Sequence, residues 1–177
     1  VMSFNMHHRD RTNELSAIAD DLRGRSNEVP DFILLQEVMF SRSGKKGETN
    51  SAAALATELE YYCRGTKRSS DREGVAIASR YPFLYYASRE LDAQTSRLLL
   101  GFNRVSVMGE FNVPEVGRVR VVNVHLTNWG FEEHVRRQQL TETLQWTAAR
   151  QREVPAHVII FGGDFNIGPD RDGLGLV

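Results

Sequence analysis

One stretch near the end of the 177-residue chain constrains the fold most: residues 157–166, HVIIFGGDFN. Its four consecutive apolar residues, 158–161, predict a strand buried on both faces. Asp164 and Asn166 are two residues apart, so on an extended backbone their side chains lie on the same side. The glycines at 162–163 let another group approach the backbone closely. Taken alone, the stretch is most typical of a strand followed by a turn with Asx caps.

The composition excludes several classes of protein. Hydrophobic residues make up 41% and charged residues 25% of the chain, which is ordinary for a globular domain. The net charge of −1 argues against a sequence-independent nucleic-acid binder but leaves room for a local basic groove. Cys63 is the only cysteine, which excludes an internal disulfide and a cysteine-based zinc site. No apolar run has the length of a transmembrane helix, so we expect a soluble protein, cytoplasmic or secreted.

The hydrophobic pattern predicts strands that alternate with helices early in the chain and a hairpin in its middle. Strands are expected at 1–6, 31–38, 74–79, 83–86 and 157–161. Helices are expected at 12–22, 49–61 and 132–153, the last with Val135, Leu140, Leu144 and Ala148 in the core. The antiparallel hairpin is expected at 104–113 and 117–126, and polar loops at 41–50 and 64–73. This order predicts either two packed sheets or one mixed sheet, flanked by helices.

Five polar residues share one property, because each lies within or at the end of an apolar strand: Asn5, Glu37, His125, Asp164 and Asn166. One such residue alone is usually a satisfied core group or a turn cap. Glu37 is harder to explain in that way, since a carboxylate beside four apolar residues must be paired or bound to a cation. All five together are compatible with one cleft. Oxygen ligands of this kind suit a hard cation such as Mg²⁺, and the absence of paired His or Cys ligands argues against structural zinc.

Five short motifs occur in a fixed order: SFNM at 3–6, LLQEV at 34–38, GVAIASRYP at 74–82, NVHL at 123–126 and GDFN at 163–166. The ordered set resembles the endonuclease/exonuclease/phosphatase superfamily, with its DNase I-like fold, along nearly the whole chain. The resemblance implies a four-layer α/β/β/α sandwich of two mainly antiparallel sheets, with the active site at one end. It also implies hydrolysis of a phosphate ester with Mg²⁺, or with Mn²⁺ in its place.

The resemblance also implies a role for each of the five polar residues. Asn5 and Glu37 match the positions that hold the metal. His125 matches the histidine that contacts the scissile phosphate. Asp164 matches the aspartate that orients or deprotonates the attacking water, and Asn166 matches the asparagine that binds a phosphate oxygen or the nucleophile.

Four further residues fit the family less specifically. Arg104, which opens the hairpin, looks like the family arginine near the phosphate, although a solvated strand end explains it equally well. Asn128, three residues after His125, is predicted to contact substrate. Arg136 and Gln139 fit a recurring R-x-x-Q on the helix after the histidine strand, and we expect them to tie that helix to a loop.

The chain departs from the family pattern at its C-terminal end. The family continues beyond GDFN with further strands and a Ser-Asp-His motif, whereas this sequence ends at Val177, eleven residues after Asn166, without that motif. His134 and His157 do not replace the missing histidine, because one lies on the long helix and the other begins a strand. We therefore expect residues 1–177 to be a single domain that is incomplete at its C-terminus. By itself it should be weakly active or inactive, while the parent protein is an enzyme.

The substrate class stays open between two kinds of enzyme and one kind of binding protein. The first is a phosphodiesterase or phosphatase that acts on a lipid headgroup or a small molecule, and the second is a nuclease acting on DNA or RNA. The near-neutral charge argues against the nuclease. The basic residues at 42–46 and 64–72 fit either the rim of a cleft or, more typically, ordinary solvated loops. The third is a non-catalytic phosphate-binding domain, which the intact polar set argues against. No protein partner is predicted.

Overall fold

The computed structural model describes residues 1–9, 12–24, 29–40, 50–68, 72–91, 104–127 and 133–167. The helices are α1 (Thr12–Gly24), α2 (Ser51–Glu58) and α3 (Glu133–Glu153). The strands are β1 (Met2–Asn5), β2 (Phe32–Met39), β3 (Tyr62–Lys67), β4 (Glu73–Ser79), β5 (Phe83–Leu91), β6 (Arg104–Val113), β7 (Gly117–His125) and β8 (Val158–Asp164). None of the described helices is both long and apolar enough to cross a membrane.

These strands form two four-stranded sheets, in the orders β1-β2-β4-β3 and β5-β6-β7-β8. Two pairs are parallel, β1 with β2 and β7 with β8. The other four pairs are antiparallel, including the β6–β7 hairpin, which is confirmed. Two mainly antiparallel sheets are therefore confirmed, and the alternative of one mixed sheet is wrong.

Three apolar clusters hold the layers together, because alternate residues of each strand point to opposite faces. The cluster between the sheets joins Phe32 and Ile77 of the first sheet to Phe111 and Val121 of the second. The outer face of the first sheet packs against α1 and α2. The outer face of the second sheet packs against α3, where Leu140 contacts the cluster that contains Met108, Val122 and Val124. The predicted α/β/β/α order of layers is confirmed.

The loop predicted at 64–73 is wrong, because it contains most of β3 and the first residue of β4. β3 pairs with β4 in continuous register from Tyr62 opposite Ser79 to Lys67 opposite Gly74. The composition of β3 did not predict a strand, since Arg64 and Lys67 are charged and exposed and only a few positions are apolar. It lies at the outside of its sheet, where one face and one edge meet solvent, so a polar sequence is tolerated there.

Two predictions of burial are also wrong. β8 is not buried on both faces: Val158 is 40% and Ile159 41% exposed, because β8 pairs only with β7 among the described strands. On α3, Leu144 is 44% exposed and Ala148 is exposed, while Thr143 and Thr147 face the sheet. Those threonine hydroxyls donate to the carbonyl oxygens four residues earlier, Thr143 to Gln139 at 2.9 Å and Thr147 to Thr143 at 2.8 Å. The buried face of α3 is therefore partly polar. A search for apolar residues at helical spacing does not identify such a face.

A buried ion cluster attaches the end of α3 to the second sheet. Glu110 on β6 and Arg120 on β7 are both fully buried. Glu110 accepts from Arg120 Nη2 at 2.8 Å, Arg150 Nε at 2.8 Å and Arg118 Nη1 at 3.0 Å. Burial by itself raises the pKa of Glu110, but the hydrogen bonds from Arg150 and Arg120 outweigh it, so the pKa lies below its usual value.

We expect Glu110→Gln to lower the free energy of unfolding by about 2 kcal/mol, because three guanidinium groups would then share no carboxylate. The loss stays below that of a fully uncompensated buried charge, since the Gln oxygen still accepts and Arg118 remains 35% exposed. Urea denaturation measures the change. Glu153→Gln is the control, because Glu153 is 69% exposed and contacts only the rim of the cluster. Equal midpoints for the two variants would contradict the role given to Glu110.

Candidate active site

The sheet topology brings the predicted polar residues to one edge of the sandwich. Parallel strands end at the same edge, so Asn5 at the end of β1 lies beside the second half of β2, and His125 at the end of β7 pairs with Asp164 at the end of β8. β4 and β6 run antiparallel to their neighbours and therefore begin at this edge, with Glu73 and Arg104 as their first residues.

A β-bulge aims Glu37 into this edge. The β2–β4 register shifts between Leu35 and Val38, and Glu37 within the bulge has φ +52°. The bulge is held from the opposite sheet by Asn123, which is fully buried. Its Nδ2 donates to the carbonyl oxygens of Leu35 at 2.9 Å and Ala76 at 2.8 Å. Bulges of this kind redirect a side chain, and here the redirected side chain is a carboxylate.

Strained backbone is concentrated at the same edge. Four non-glycine residues here have positive φ: His7 (49°), His8 (59°), Glu37 (52°) and Asn166 (53°). Gly163 has φ +134°, and a Cβ at that position would lie 2.0 Å from the carbonyl oxygen of Val124. The close approach expected of the glycine pair is therefore confirmed at Gly163. Strain of this kind is retained where a functional arrangement requires it.

The acidic side of the site is organised by Asn5. Its Nδ2 donates to Glu37 Oε1 at 2.9 Å and to Asp164 Oδ2 at 3.1 Å, so the two carboxylates face a common point. In the absence of a metal this amide orientation is favoured, because the backbone N–H of His7 donates to Asn5 Oδ1 at 2.9 Å. The amide nitrogen, not the oxygen, is thus directed at the carboxylates in this arrangement.

The turn after β8 presents one oxygen of Asp164 and engages the other. Asp164 Oδ1 accepts from the backbone N–H of Asn166 at 2.9 Å, which is the Asx cap expected from the sequence. Asn166 Nδ2 donates to the carbonyl oxygen of Leu126 at 2.8 Å and so ties the turn to the end of β7. The second oxygen, Oδ2, faces the cleft between Asn5 and His125.

The basic side of the site is centred on Glu73, which sequence reasoning missed. Its Oε2 lies 2.8 Å from Arg68 Nη2 and 2.9 Å from His8 Nε2, and its Oε1 lies 3.5 Å from Arg104 Nη1. Arg68 and Arg104 each expose only 7% of the side chain, so the solvated strand end considered for Arg104 is wrong. The available signal was a charged residue directly before the buried strand GVAIAS. Arg68, Glu73 and Arg104 line a shallow pocket together with His125.

His125 lies between the two sides. Its Nδ1 is 3.4 Å from Arg104 Nη1, and its Nε2 is 3.8 Å from Asp164 Oδ2. Burial and the charge of Arg104 lower the pKa of His125 from 6.5 to about 4, and the carboxylates of Asp164 and Glu37 oppose this only in part. Burial and Arg68 also lower the pKa of Arg104. At neutral pH the site therefore contains a neutral imidazole beside a guanidinium cation.

The lowered pKa of His125 makes a prediction for stability. The unfolded chain binds a proton near pH 6.5 and the folded chain only near pH 4, so the free energy of unfolding should fall as the pH drops through that window. The full loss corresponds to roughly 3 kcal/mol. Urea midpoints in EDTA across this range measure it, and His125→Gln should show a shallower dependence. The same dependence in both proteins would contradict a buried neutral His125.

Several predicted residues lie elsewhere or outside the described chain. Asn128 and the basic segment 42–46 fall outside the described residues. Arg64 does not rim the cleft, because its guanidinium lies over the ring of Phe83, 5.7 Å from the centroid. Gln139 Oε1 accepts from the backbone N–H of Thr127 at 3.1 Å, which ties α3 to the segment after β7, as expected for Gln139 of the R-x-x-Q pair.

A comparison with models of protein families matches residues 2–176 to the endonuclease/exonuclease/phosphatase family. The chain belongs to the endonuclease/exonuclease/phosphatase family. Members of this family are hydrolases that act on phosphate esters. The resemblance inferred from the five motifs is thereby confirmed. No curated protein sequence matches the chain at a significant level.

Solved structures of the family share the fold at low sequence identity. Caenorhabditis elegans TDP2 has a TM-score of 0.69 at 20% identity, covering 94% of this chain and 46% of its own. The human Nocturnin catalytic domain, with a bound sulfate anion, has 0.64 at 20%, covering 90% and 58%. ANGEL2, a 2′,3′-cyclic phosphatase in complex with adenosine-2′,3′-vanadate, has 0.65 at 20%, covering 88% and 44%. The chain thus spans about half the length of the solved chains it matches, and the DNase I-like fold is confirmed.

Proposed function

We propose that this edge of the sandwich hydrolyses a phosphodiester or phosphomonoester by in-line attack of water. One observation supports this most strongly: the carboxylates of Glu37 and Asp164 share the amide of Asn5, opposite the buried pair of Arg104 and His125. Phosphoryl transfer requires a positioned water and neutralisation of charge on the phosphate oxygens. The acidic side is suited to the first requirement and the basic side to the second.

A magnesium ion fits the acidic side by its chemistry. Glu37 and Asn5 offer a carboxylate and an amide, which are hard oxygen donors, and Mg²⁺ typically uses one or two carboxylates with waters and substrate phosphate. Among the described residues, no three His, Cys, Asp or Glu side chains are grouped so that they could hold a metal by themselves. Glu37 would therefore hold the ion together with the Asn5 oxygen, after the amide turns over, and with the substrate. A bound Mg²⁺, or Mn²⁺, would supply charge neutralisation.

The side chains of the site orient the attacking water and bind the phosphate oxygens. Asp164 Oδ2 is the acceptor that orients the attacking water, because its other oxygen is held by the Asn166 backbone. Arg104 and His125 contact the non-bridging phosphate oxygens. Asn166 holds the turn by donating to the carbonyl oxygen of Leu126. The remaining hydrogen-bonding capacity of its side chain would bind a phosphate oxygen or the nucleophile. The substrate is a phosphate ester of a lipid headgroup or small molecule, with a nucleic acid as the alternative.

The solved structures support a ligand that contains a phosphate-like group, but they do not identify the rest of that ligand. ANGEL2 binds adenosine-2′,3′-vanadate and Nocturnin binds a sulfate anion, so two proteins with this fold accommodate phosphate-like groups. The test is a substrate panel of DNA, RNA, sphingomyelin, a phosphoinositide and a simple diester, with Mg²⁺ and with EDTA. The assay uses the full-length protein. Turnover of one class with Mg²⁺ supports the proposal, and absence of turnover across the panel counts against it.

Metal binding has its own prediction, independent of substrate. If Mg²⁺ binds the folded chain with a dissociation constant near 1 mM, 10 mM Mg²⁺ should stabilise it by about 1.4 kcal/mol and raise the Tm by about 4 °C. Glu37→Gln should abolish this shift, because it removes the anionic ligand. Glu115→Gln, in the β6–β7 turn, is the control and should keep it. An equal shift in the Glu37 variant would show that the ion binds elsewhere.

A further inference from the structure

One flank of the sandwich leads from the site along the two outer strands β3 and β5. Each is the last strand on this side of its sheet among the described strands, and the two contact each other. Both strands end at the edge that carries the site, because Lys67 pairs with Gly74 and Leu91 pairs with Arg104. A ligand that extends from the site along this flank therefore lies beside β3 and β5.

One face of β3 is directed between the sheets along this flank. It carries Tyr62, Arg64 and Thr66, because alternate residues of a strand share a face. Cys63, on the other face, packs against the cluster that contains α1 and α2. The alternation continues to Arg68, whose backbone N–H extends the pairing with β4. Arg68 lines the pocket of the site, and Arg64 lies four residues earlier, about 13 Å away along the strand.

Aromatic rings hold the guanidinium of Arg64 in place. It lies 5.7 Å from the ring centroid of Phe83 and 5.9 Å from that of Tyr86. The two rings are in edge-to-face contact, and Tyr86 Oη lies 2.9 Å from Thr66 Oγ1. A cation–π contact positions a guanidinium without using its N–H donors. In the part of the chain that the structure describes, no acceptor is bonded to Arg64, and its side chain is exposed.

A positioned, exposed guanidinium is suited to bind a phosphate, because its N–H groups match two phosphate oxygens at once. The distance of about 13 Å from Arg68 is too long for one phosphate to contact both residues. The ligand must therefore carry a second phosphate that is separated from the first by an extended chain. Tyr62, the next residue on the same face, is 52% exposed and offers a ring on which a base can stack.

We propose that Arg64 is a second phosphate-binding residue, which binds a phosphate group of the substrate remote from the one that is hydrolysed. The ligand is an extended chain of phosphates that reaches from the pocket to Arg64, supplied by a nucleic-acid strand or by a polyphosphate. The position of the hydrolysed phosphate rests on the proposed function. The inference adds that the protein prefers long polyanions to simple diesters.

Equilibrium binding to the full-length protein in EDTA tests the proposal without hydrolysis. The probes are a fluorescein-labelled oligothymidylate of ten nucleotides, with inorganic polyphosphate of similar length and a dinucleotide as competitors. Arg64→Gln should weaken the two long ligands about fivefold and leave the dinucleotide unchanged. It should also lower the slope of log K against log salt by about 0.7 for the oligothymidylate, since one phosphate contact is lost.

Two further variants separate charge from packing. Arg64→Lys keeps the charge and should restore most of the affinity, whereas Arg64→Met keeps an apolar stem on the rings and should bind as weakly as Arg64→Gln. Arg152→Gln is the control, because Arg152 is exposed at the end of α3 on the other sheet, and it should leave the salt slope unchanged. Tyr62→Ala distinguishes the source of the phosphates: loss for the oligothymidylate alone identifies a nucleic-acid strand, and equal binding of both long ligands identifies a polyphosphate.

Two results would overturn the proposal. One is an Arg64→Met variant with the wild-type affinity and salt slope for both long ligands. The other is an equal loss for the dinucleotide, because that ligand does not reach Arg64 and the effect would then come from a disturbed fold. Turnover of a simple diester together with either result would contradict this inference alone. Binding of long ligands that depends on Arg64, with no turnover of any substrate in the panel, would contradict the proposed function alone.

Discussion

Replacing Asp164 with asparagine should reduce kcat by about a thousandfold while substrate binding persists. The amide keeps the oxygen that accepts from the Asn166 backbone, so the turn after β8 should remain folded. The substitution replaces the second oxygen, Oδ2, which lies 3.1 Å from Asn5 Nδ2 and 3.8 Å from His125 Nε2. An amide nitrogen there cannot accept a proton from water and would face other donors. Steady-state kinetics with a separate equilibrium binding measurement separate the two effects.

Asp31→Asn is the matched control for this variant. Asp31 precedes β2, at the opposite end of the sheet from Glu37, and its carboxylate lies 3.6 Å from Arg80. It is half exposed, so its replacement should leave both kcat and binding within twofold of the wild-type values. Unchanged hydrolysis in Asp164→Asn would refute the role assigned to the aspartate. A wild-type protein that binds phosphate esters with no turnover would favour the non-catalytic binding domain instead.

The largest expected loss of stability comes from Asn123→Leu. The leucine has a similar volume but removes three buried hydrogen bonds: two donated to Leu35 and Ala76, and one accepted from Gln36 Nε2 at 2.8 Å. Each buried polar group left without a partner costs about 1–3 kcal/mol, so we expect a loss of about 4 kcal/mol in the free energy of unfolding. Because Asn123 also holds the bulge that aims Glu37, the Mg²⁺-dependent rise in Tm should shrink as well.

Asn112→Leu provides the comparison for Asn123. It lies on β6 of the same sheet, but its side chain is exposed, so the substitution should change stability by less than about 0.5 kcal/mol. Urea denaturation of both variants measures the difference. A loss of less than about 1 kcal/mol in Asn123→Leu would show that the bulge does not depend on this contact between the sheets.

The apolar strands and their polar ends were readable from the sequence because both depend on local pattern. A run such as Phe32–Leu35 has few alternatives to a buried strand, and a carboxylate at its end needs a partner. The position of Asn5, Glu37, His125 and Asp164 at one edge then follows from strand direction. The structure places these residues together, while their chemical roles stay predictions.

The errors arose where tertiary contacts determine the outcome. β3 is polar because it lies at the outside of its sheet, so only its pairing with β4 reveals it. Glu73 was predicted to lie in a loop. Its partners Arg68 and Arg104 come from separate parts of the chain, so only the folded structure shows that they meet. On α3 the buried face carries threonines bonded to their own helix, so Leu144 was assigned to the wrong face. None of these contacts leaves a periodic signal in the sequence.

The central claim is that Asp164 orients a water molecule that attacks the phosphorus of a phosphate ester, and that this hydrolysis requires Mg²⁺. The most direct measurement is hydrolysis of the best substrate of the panel in H₂¹⁸O, with mass analysis of the phosphate product. We predict one ¹⁸O per phosphate product in a single turnover with Mg²⁺, no product with EDTA, and product formation about a thousandfold slower with Asp164→Asn. Product that forms equally in EDTA or in the Asp164 variant, or that carries no ¹⁸O on phosphorus, would contradict the account.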